Sequence, residues 1–120
     1  MTDLGQLLAT MRPVLHDEAY GFDLLDPDAP LPKGVFALIH EEEGLTLIAP
    51  FPDGEWARIS LSVHSDLSAV GLSAAIARAL ADRNLPANIV AGFHHDHIFV
   101  PWARRAEALA ALEALSEQQT

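Results

Sequence analysis

Between residues 57 and 64 apolar and polar positions alternate without a break. Ala57, Ile59, Leu61 and Val63 take one side, and Arg58, Ser60, Ser62 and His64 the other. A period of two is the mark of a strand buried on one face. From about Ser68 the period lengthens, with Leu72, Ile76, Ala79 and Leu80 at i, i+4, i+7 and i+8. That spacing predicts a helix, and Asn84 ahead of Leu85 and Pro86 ends it. Two short β-prone runs follow, residues 88–93 and 95–100, joined by a polar turn and closed by Pro101. The last segment sets Ala108, Ala111, Leu112 and Leu115 on one helical face.

The first fifty residues are less regular. Leu4, Leu7, Leu8 and Met11 have helical spacing before Pro13, so a short packing helix opens the chain. Residues 20–25 read as a strand. Residues 26–33 contain three prolines, which fix φ and remove donors, and form a stiff connection. Residues 35–40 and 45–49 then make a hairpin around three solvated glutamates and Gly44. Two prolines and a glycine in residues 50–55 mark a boundary between a subdomain of residues 1–50 and a βαββα unit of residues 56–117, both within one compact body. No internal sequence repeat is visible.

Strand, helix, strand, strand, helix is most of the split βαβ order of ferredoxin-like folds. The first two strands of that order run parallel and the third lies between them. The fourth strand must then come from the N-terminal portion. The expected class is α+β: a mainly antiparallel sheet with helices on one face, which the N-terminal strands complete or extend. Its other face, carrying Ser60, Ser62 and His64, either stays solvated or meets a second copy. The same topology brings the end of the first strand, at His64, beside the turn at residues 92–97.

Composition narrows the function. The 120 residues are half apolar, enough for one core. A net charge of −10, from 17 acidic and 7 basic residues, opposes nucleic-acid binding. Without cysteine, disulfides and thiolate chemistry are excluded. There is neither a basic-then-apolar leader nor an apolar run near membrane length, so a soluble cytoplasmic protein with no membrane partner is expected.

The polar break at residues 63–71 holds His64, Ser65, Asp66 and Ser68 where a helix is expected to begin. Exposed amides there favour a carboxylate, and Asp66 can pair with an amine. The simpler reading is that Ser65 or Asp66 caps the helix. Phe93, His94, His95, Asp96 and His97 carry metal-ligating groups, and His64, His95 and His97 form the alternative, a histidine metal site or metal-dependent hydrolase. Helical His-Glu-x-x-His spacing is absent. A hydrolytic set of Ser65, His64 or His97, and Asp66 lacks a nucleophile elbow. Trp56 and Trp102 either stack on a ligand or cover a core, and His16 and His40 offer no definable chemistry.

Residues 59–101, from Ile-Ser-Leu-Ser-Val-His-Ser-Asp-Leu-Ser to Phe-His-His-Asp-His-Ile-Phe-Val-Pro, resemble an ACT domain. More closely, the chain is similar to small stand-alone bacterial ACT proteins related to the CASTOR-type amino-acid sensors. With residues 44–50 the resemblance covers over half the chain; the first forty residues match less distinctly. It implies a non-enzymatic sensor or regulatory protein that binds a small molecule, in the usual case an amino acid, where ACT units meet as a dimer, with no cofactor. It carries Ser62, His64, Ser65, Asp66, Leu67, Val70 and Gly71 over as loop contacts, and Asn88 and Ile89 from the strand lining the interface. The chain departs from the usual regulatory ACT protein in having no fused catalytic domain and no final strand.

Overall fold

The computed structural model describes residues 3–119. Its elements are α1 (Leu4–Ala9), β1 (Pro13–Leu25), β2 (Ala37–Glu41), β3 (Gly44–Pro50), β4 (Trp56–Leu61), α2 (Leu72–Ala81), β5 (Asn88–Ala91), β6 (Asp96–Pro101), a 3-10 turn (Trp102–Arg104) and α3 (Arg105–Glu117). The strands form one sheet in the order β2-β3-β1-β4-β6-β5. Every neighbouring pair is antiparallel. β6 therefore separates β4 from β5, which run parallel, as the split βαβ order requires.

The strand missing from that order is β1, and it is more than twice as long as the expected residues 20–25. Its first half pairs with β4 and its second half with β3, so one strand belongs to both portions of the chain. Pro13 stands at its first position, where a missing donor costs least. A register shift between Leu15 and Ala19 breaks the period across Asp17 and Glu18, which hid the strand.

α1 is shorter than the spacing of its leucines implied. Asp3 caps it by accepting from the Gln6 amide, and it ends at Ala9 before a left-handed Arg12. Met11 is nonetheless fully buried. Leu7, Leu8 and Met11 join Leu72, Ile76 and Leu80 of α2 and Ala108, Ala111 and Leu112 of α3 over Ala57, Ile59, Leu61, Ile98 and Val100. This is the helix-covered face. Each of its fully buried large aliphatic side chains stabilises by about 1.5–3 kcal/mol relative to exposure.

The other face is not simply open. Tyr20, Ile48 and Phe99 are buried there, with Phe36, Ala37, Trp56 and Val90 packed around them. Phe99 lies 5.5 Å from Tyr20, 5.3 Å from Phe22 and 5.4 Å from Phe36, each edge to face. Phe36, at the end of the proline-rich connection, folds onto this cluster. Trp56 meets Phe22 edge to face at 5.8 Å, while Trp102 packs on the helix-side core beneath the Arg105 guanidinium. Both tryptophans therefore cover cores. Gly54 is required at the turn before β4, since a Cβ there would fall on the Tyr20 backbone.

Two further boundaries differ from expectation. β4 stops at Leu61 because the amides of Ser62 and Val63 turn to the Met11 carbonyl. α2 starts at Leu72, four residues beyond Ser68. Gly71, at φ 100°, is its N-cap and contributes no side-chain cap, so neither Ser65 nor Asp66 caps this helix. Instead Asp66 Oδ1 accepts from the Ser68 amide and the Asp66 carbonyl from Ala69, forming a separate turn.

Candidate functional site

The loop after β4 and the turn between β5 and β6 meet. Ser65 Oγ donates to Asp96 Oδ2 at 3.3 Å, His64 Nε2 lies 3.2 Å from His94 Nδ1, and His95 Nδ1 lies 3.4 Å from the Val63 carbonyl. Together they frame a cleft of about 320 Å³ lined by His64, Ser65, Asp66, Leu67 and Phe93. Four of the residues expected in the loop thus share one concave surface. Leu67 (66%) and Phe93 (77%) in its wall, and Val70 (84%) further along the same loop, are exposed apolar side chains.

The remaining candidates are placed otherwise. Ser62 donates its hydroxyl to the Arg12 carbonyl at 2.8 Å, tying the loop to the start of β1. Gly71 supplies a left-handed turn, and a Cβ on it would press on Leu4 Cδ2 at 3.0 Å. Asn88 pairs with Phe99 and is exposed on the sheet face opposite the helices, whereas Ile89 packs into the helix-side core. The alternative metal set does not converge: His64 lines the loop cleft, His95 lies against the Val63 carbonyl, and His97 turns toward Ser60. Among the described residues no group of three potential ligands is arranged to hold a metal ion.

His97 belongs to a network that the sequence did not disclose. Arg58 Nε donates to the Tyr20 hydroxyl at 3.0 Å, and its terminal nitrogens lie 3.3 Å from His97 Nδ1 and 3.3 Å from His16 Nδ1. Ser60 Oγ sits between the two rings, 2.7 Å from His16 Nε2 and 2.8 Å from His97 Nδ1. Arginine only donates, which fixes the protons: His16 accepts at Nδ1, donates from Nε2 to Ser60, and Ser60 donates onward to His97 Nδ1. Desolvation and the Arg58 charge, with smaller contributions from His95 and His16, lower the His97 pKa to about 4. His16 is lowered too, by burial and then Arg58, against the opposing pull of Glu18 and Asp17. Both rings are neutral at pH 7. Arg58 and Ser60 already stood on the polar side of the alternating strand; His16 was obscured by the irregularity in β1.

Two family models, each describing an ACT domain, match residues 1–64 and 53–114. The chain belongs to the ACT domain family. Its fold is also that of several solved structures. A Vibrio cholerae protein of unknown function, a possible transport protein, is 35% identical with a TM-score of 0.74, covering 90% of this chain and 92% of its own. A protein from Agrobacterium tumefaciens is 14% identical with a TM-score of 0.70, covering 87% of each chain. The regulatory subunit of aspartate kinase from Thermus thermophilus, in its ligand-free form, is 14% identical with a TM-score of 0.67, covering 89% of this chain and 97% of its own. No curated protein matches in sequence. The two ACT matches overlap on β4, the strand that pairs with β1 at the centre of the sheet. No helix among the described residues of this ACT protein is long and apolar enough to cross a membrane.

Proposed function

We propose that this ACT protein is a non-enzymatic sensor or regulatory subunit that binds an amino acid at the residue 62–71 loop, in the manner of the CASTOR-type sensors it resembles. The observation that carries the reading is the closure of that loop onto the β5–β6 turn, 31 positions apart at Ser65 and Asp96, to leave a cleft holding an exposed carboxylate. Asp66 is committed only through Oδ1 to a local turn, so its second oxygen is available for a ligand ammonium. A ring N–H of His64 can donate to the carboxylate, while Ser65, whose hydroxyl hydrogen goes to Asp96, holds the loop in place. β5 is an edge strand, and Leu67, Val70 and Phe93 stand exposed by the cleft. A second copy placed along that edge covers the apolar side chains and completes the pocket. Ligand binding then favours one subunit arrangement through unequal affinity for the two.

A thermal-shift screen of the twenty amino acids identifies a stabilising ligand, and histidine ring resonances locate it. The expected response is at His64 and His94, lost in Asp66→Ala while the unliganded variant stays folded. If no amino acid moves either ring, the loop is refuted as the site.

A further inference from the structure

Arg58 is a cation without a counter-ion in a chain with a large excess of acid. Among the described residues the ion pairs are Arg78–Asp82 and Arg104–Glu107, and Arg58 takes part in neither. Every partner given to it is neutral: the Tyr20 hydroxyl, Ser60 and two imidazoles. Its guanidinium lies 5.2 Å from the Tyr20 ring centroid and 4.8 Å from that of Phe36. The aromatic faces and neutral acceptors hold the group in place and leave its charge uncancelled. The charge left at this position is one that the carboxylate of a small ligand can meet.

A cleft opens on this group, on the sheet face away from the helices. It measures about 500 Å³ and is lined by Glu18, Tyr20, Lys33, Val35, Phe36 and Arg58, together with Gly34 and Pro50. Its size is that of a small-ligand site. Arg58 and Lys33 supply positive charge, Glu18 supplies one negative charge, and the rings with Val35 and Pro50 supply an apolar wall. We infer that this cleft is a second binding site, separate from the loop site, for a small zwitterion whose carboxylate meets Arg58 and whose ammonium meets Glu18. The two imidazoles behind Arg58 report occupancy, because a bound carboxylate offsets the cation that now disfavours their protonation.

The test uses the full chain with isotope-labelled histidine, titrated with each of the twenty amino acids, with acetate and methylamine as half-ligands. At least one amino acid shifts the His16 and His97 ring resonances and raises their pKa values, acetate acts more weakly, and methylamine has no effect. Arg58→Gln abolishes the response, and Glu18→Gln weakens it at least about tenfold, as expected for a lost hydrogen bond to a charged group. Glu18 is exposed, so its variant decides the matter even if Arg58→Gln does not fold; unchanged affinity in either folded variant overturns the site. So does a panel in which no amino acid moves these rings. Shifts that follow protein concentration without ligand show the face covered by a second copy, and likewise overturn it. Asp66→Ala leaves the His16 and His97 response intact, which separates this site from the loop site.

Discussion

Acid should destabilise this protein through His97 in a window set by two numbers. Its imidazole titrates near 6.5 when unfolded and at about 4 when folded. Because the folded value is the lower one, the unfolded chain takes up the proton first as the pH falls. Stability contributed by the neutral ring is complete above about 6.5, is lost progressively down to about 4, and falls no further below that. At about 1.36 kcal/mol per pKa unit, the full displacement sets an upper bound of roughly 3.4 kcal/mol. The ring is only partly buried, and solvent screening brings the expectation to about 1–2 kcal/mol. The groups facing it are Arg58 and Ser60 on β4, His16 on β1, the Phe36 ring and His95 in the preceding turn. His97→Gln can keep an acceptor for Ser60 and cannot titrate. Urea unfolding of both proteins at about pH 7.5 and about pH 4.5, followed by tryptophan fluorescence, isolates the effect, since the other titrating groups are common to both. The wild type loses about 1–2 kcal/mol more than the variant on acidification. Parallel losses refute the reasoning, and a larger loss in the variant reverses its sign.

Two further substitutions probe the packing that positions the sites. Phe99→Ala empties a fully buried position touching three rings, and calorimetry should show a loss of about 3–5 kcal/mol together with weakened order at Tyr20 and Phe36. A loss under about 1 kcal/mol would show that the aromatic cluster is not a packed core. Gly71→Ala forces a side chain to φ 100° against Leu4 and should cost about 1–2 kcal/mol or more, lowering Tm; a neutral outcome would mean that the α2 start is not built as described.

What the sequence disclosed followed from regular periods. β4 showed itself by strict alternation, α2 and α3 by their apolar stripes, and with the two short β-prone runs at residues 88–93 and 95–100 they led to the split βαβ order. That order placed the end of β4, at His64, beside the turn at residues 92–97, where the structure sets His64 against His94 and bonds Ser65 to Asp96. β1 stayed half hidden because a register shift between Leu15 and Ala19 interrupts its period, and with it His16 was missed. The metal set failed for a related reason. His95 lies in the turn, outside β6, so alternation does not carry from it to His97. The start of α2 was misplaced because serine and aspartate signal caps and turns equally, and only the φ of Gly71 distinguishes them.

The strand order reads the same from either end: a hairpin, then the strand that precedes it in sequence, on each side of the antiparallel β1–β4 pair. β1, β2 and β3 stand to one another as β4, β5 and β6 do. The structure therefore contains a repeat that residue patterns alone did not disclose, and the two ACT-domain matches fall one largely on each half. The two halves differ in what joins their first strand to their hairpin. In the C-terminal half the connection carries α2, which covers the sheet and leaves the residue 62–71 loop at the cleft. In the N-terminal half residues 26–36 hold three prolines and no helix, and the connection ends with Phe36 on the opposite face, 4.8 Å from both the His97 ring and the Arg58 guanidinium. With no helix in it, this segment packs on the face opposite the helices. The same segment brings Lys33, Gly34, Val35 and Phe36 to the wall of the cleft at Arg58. The departure from the ACT pattern in the first half thus builds the surface on which a second ligand can be received.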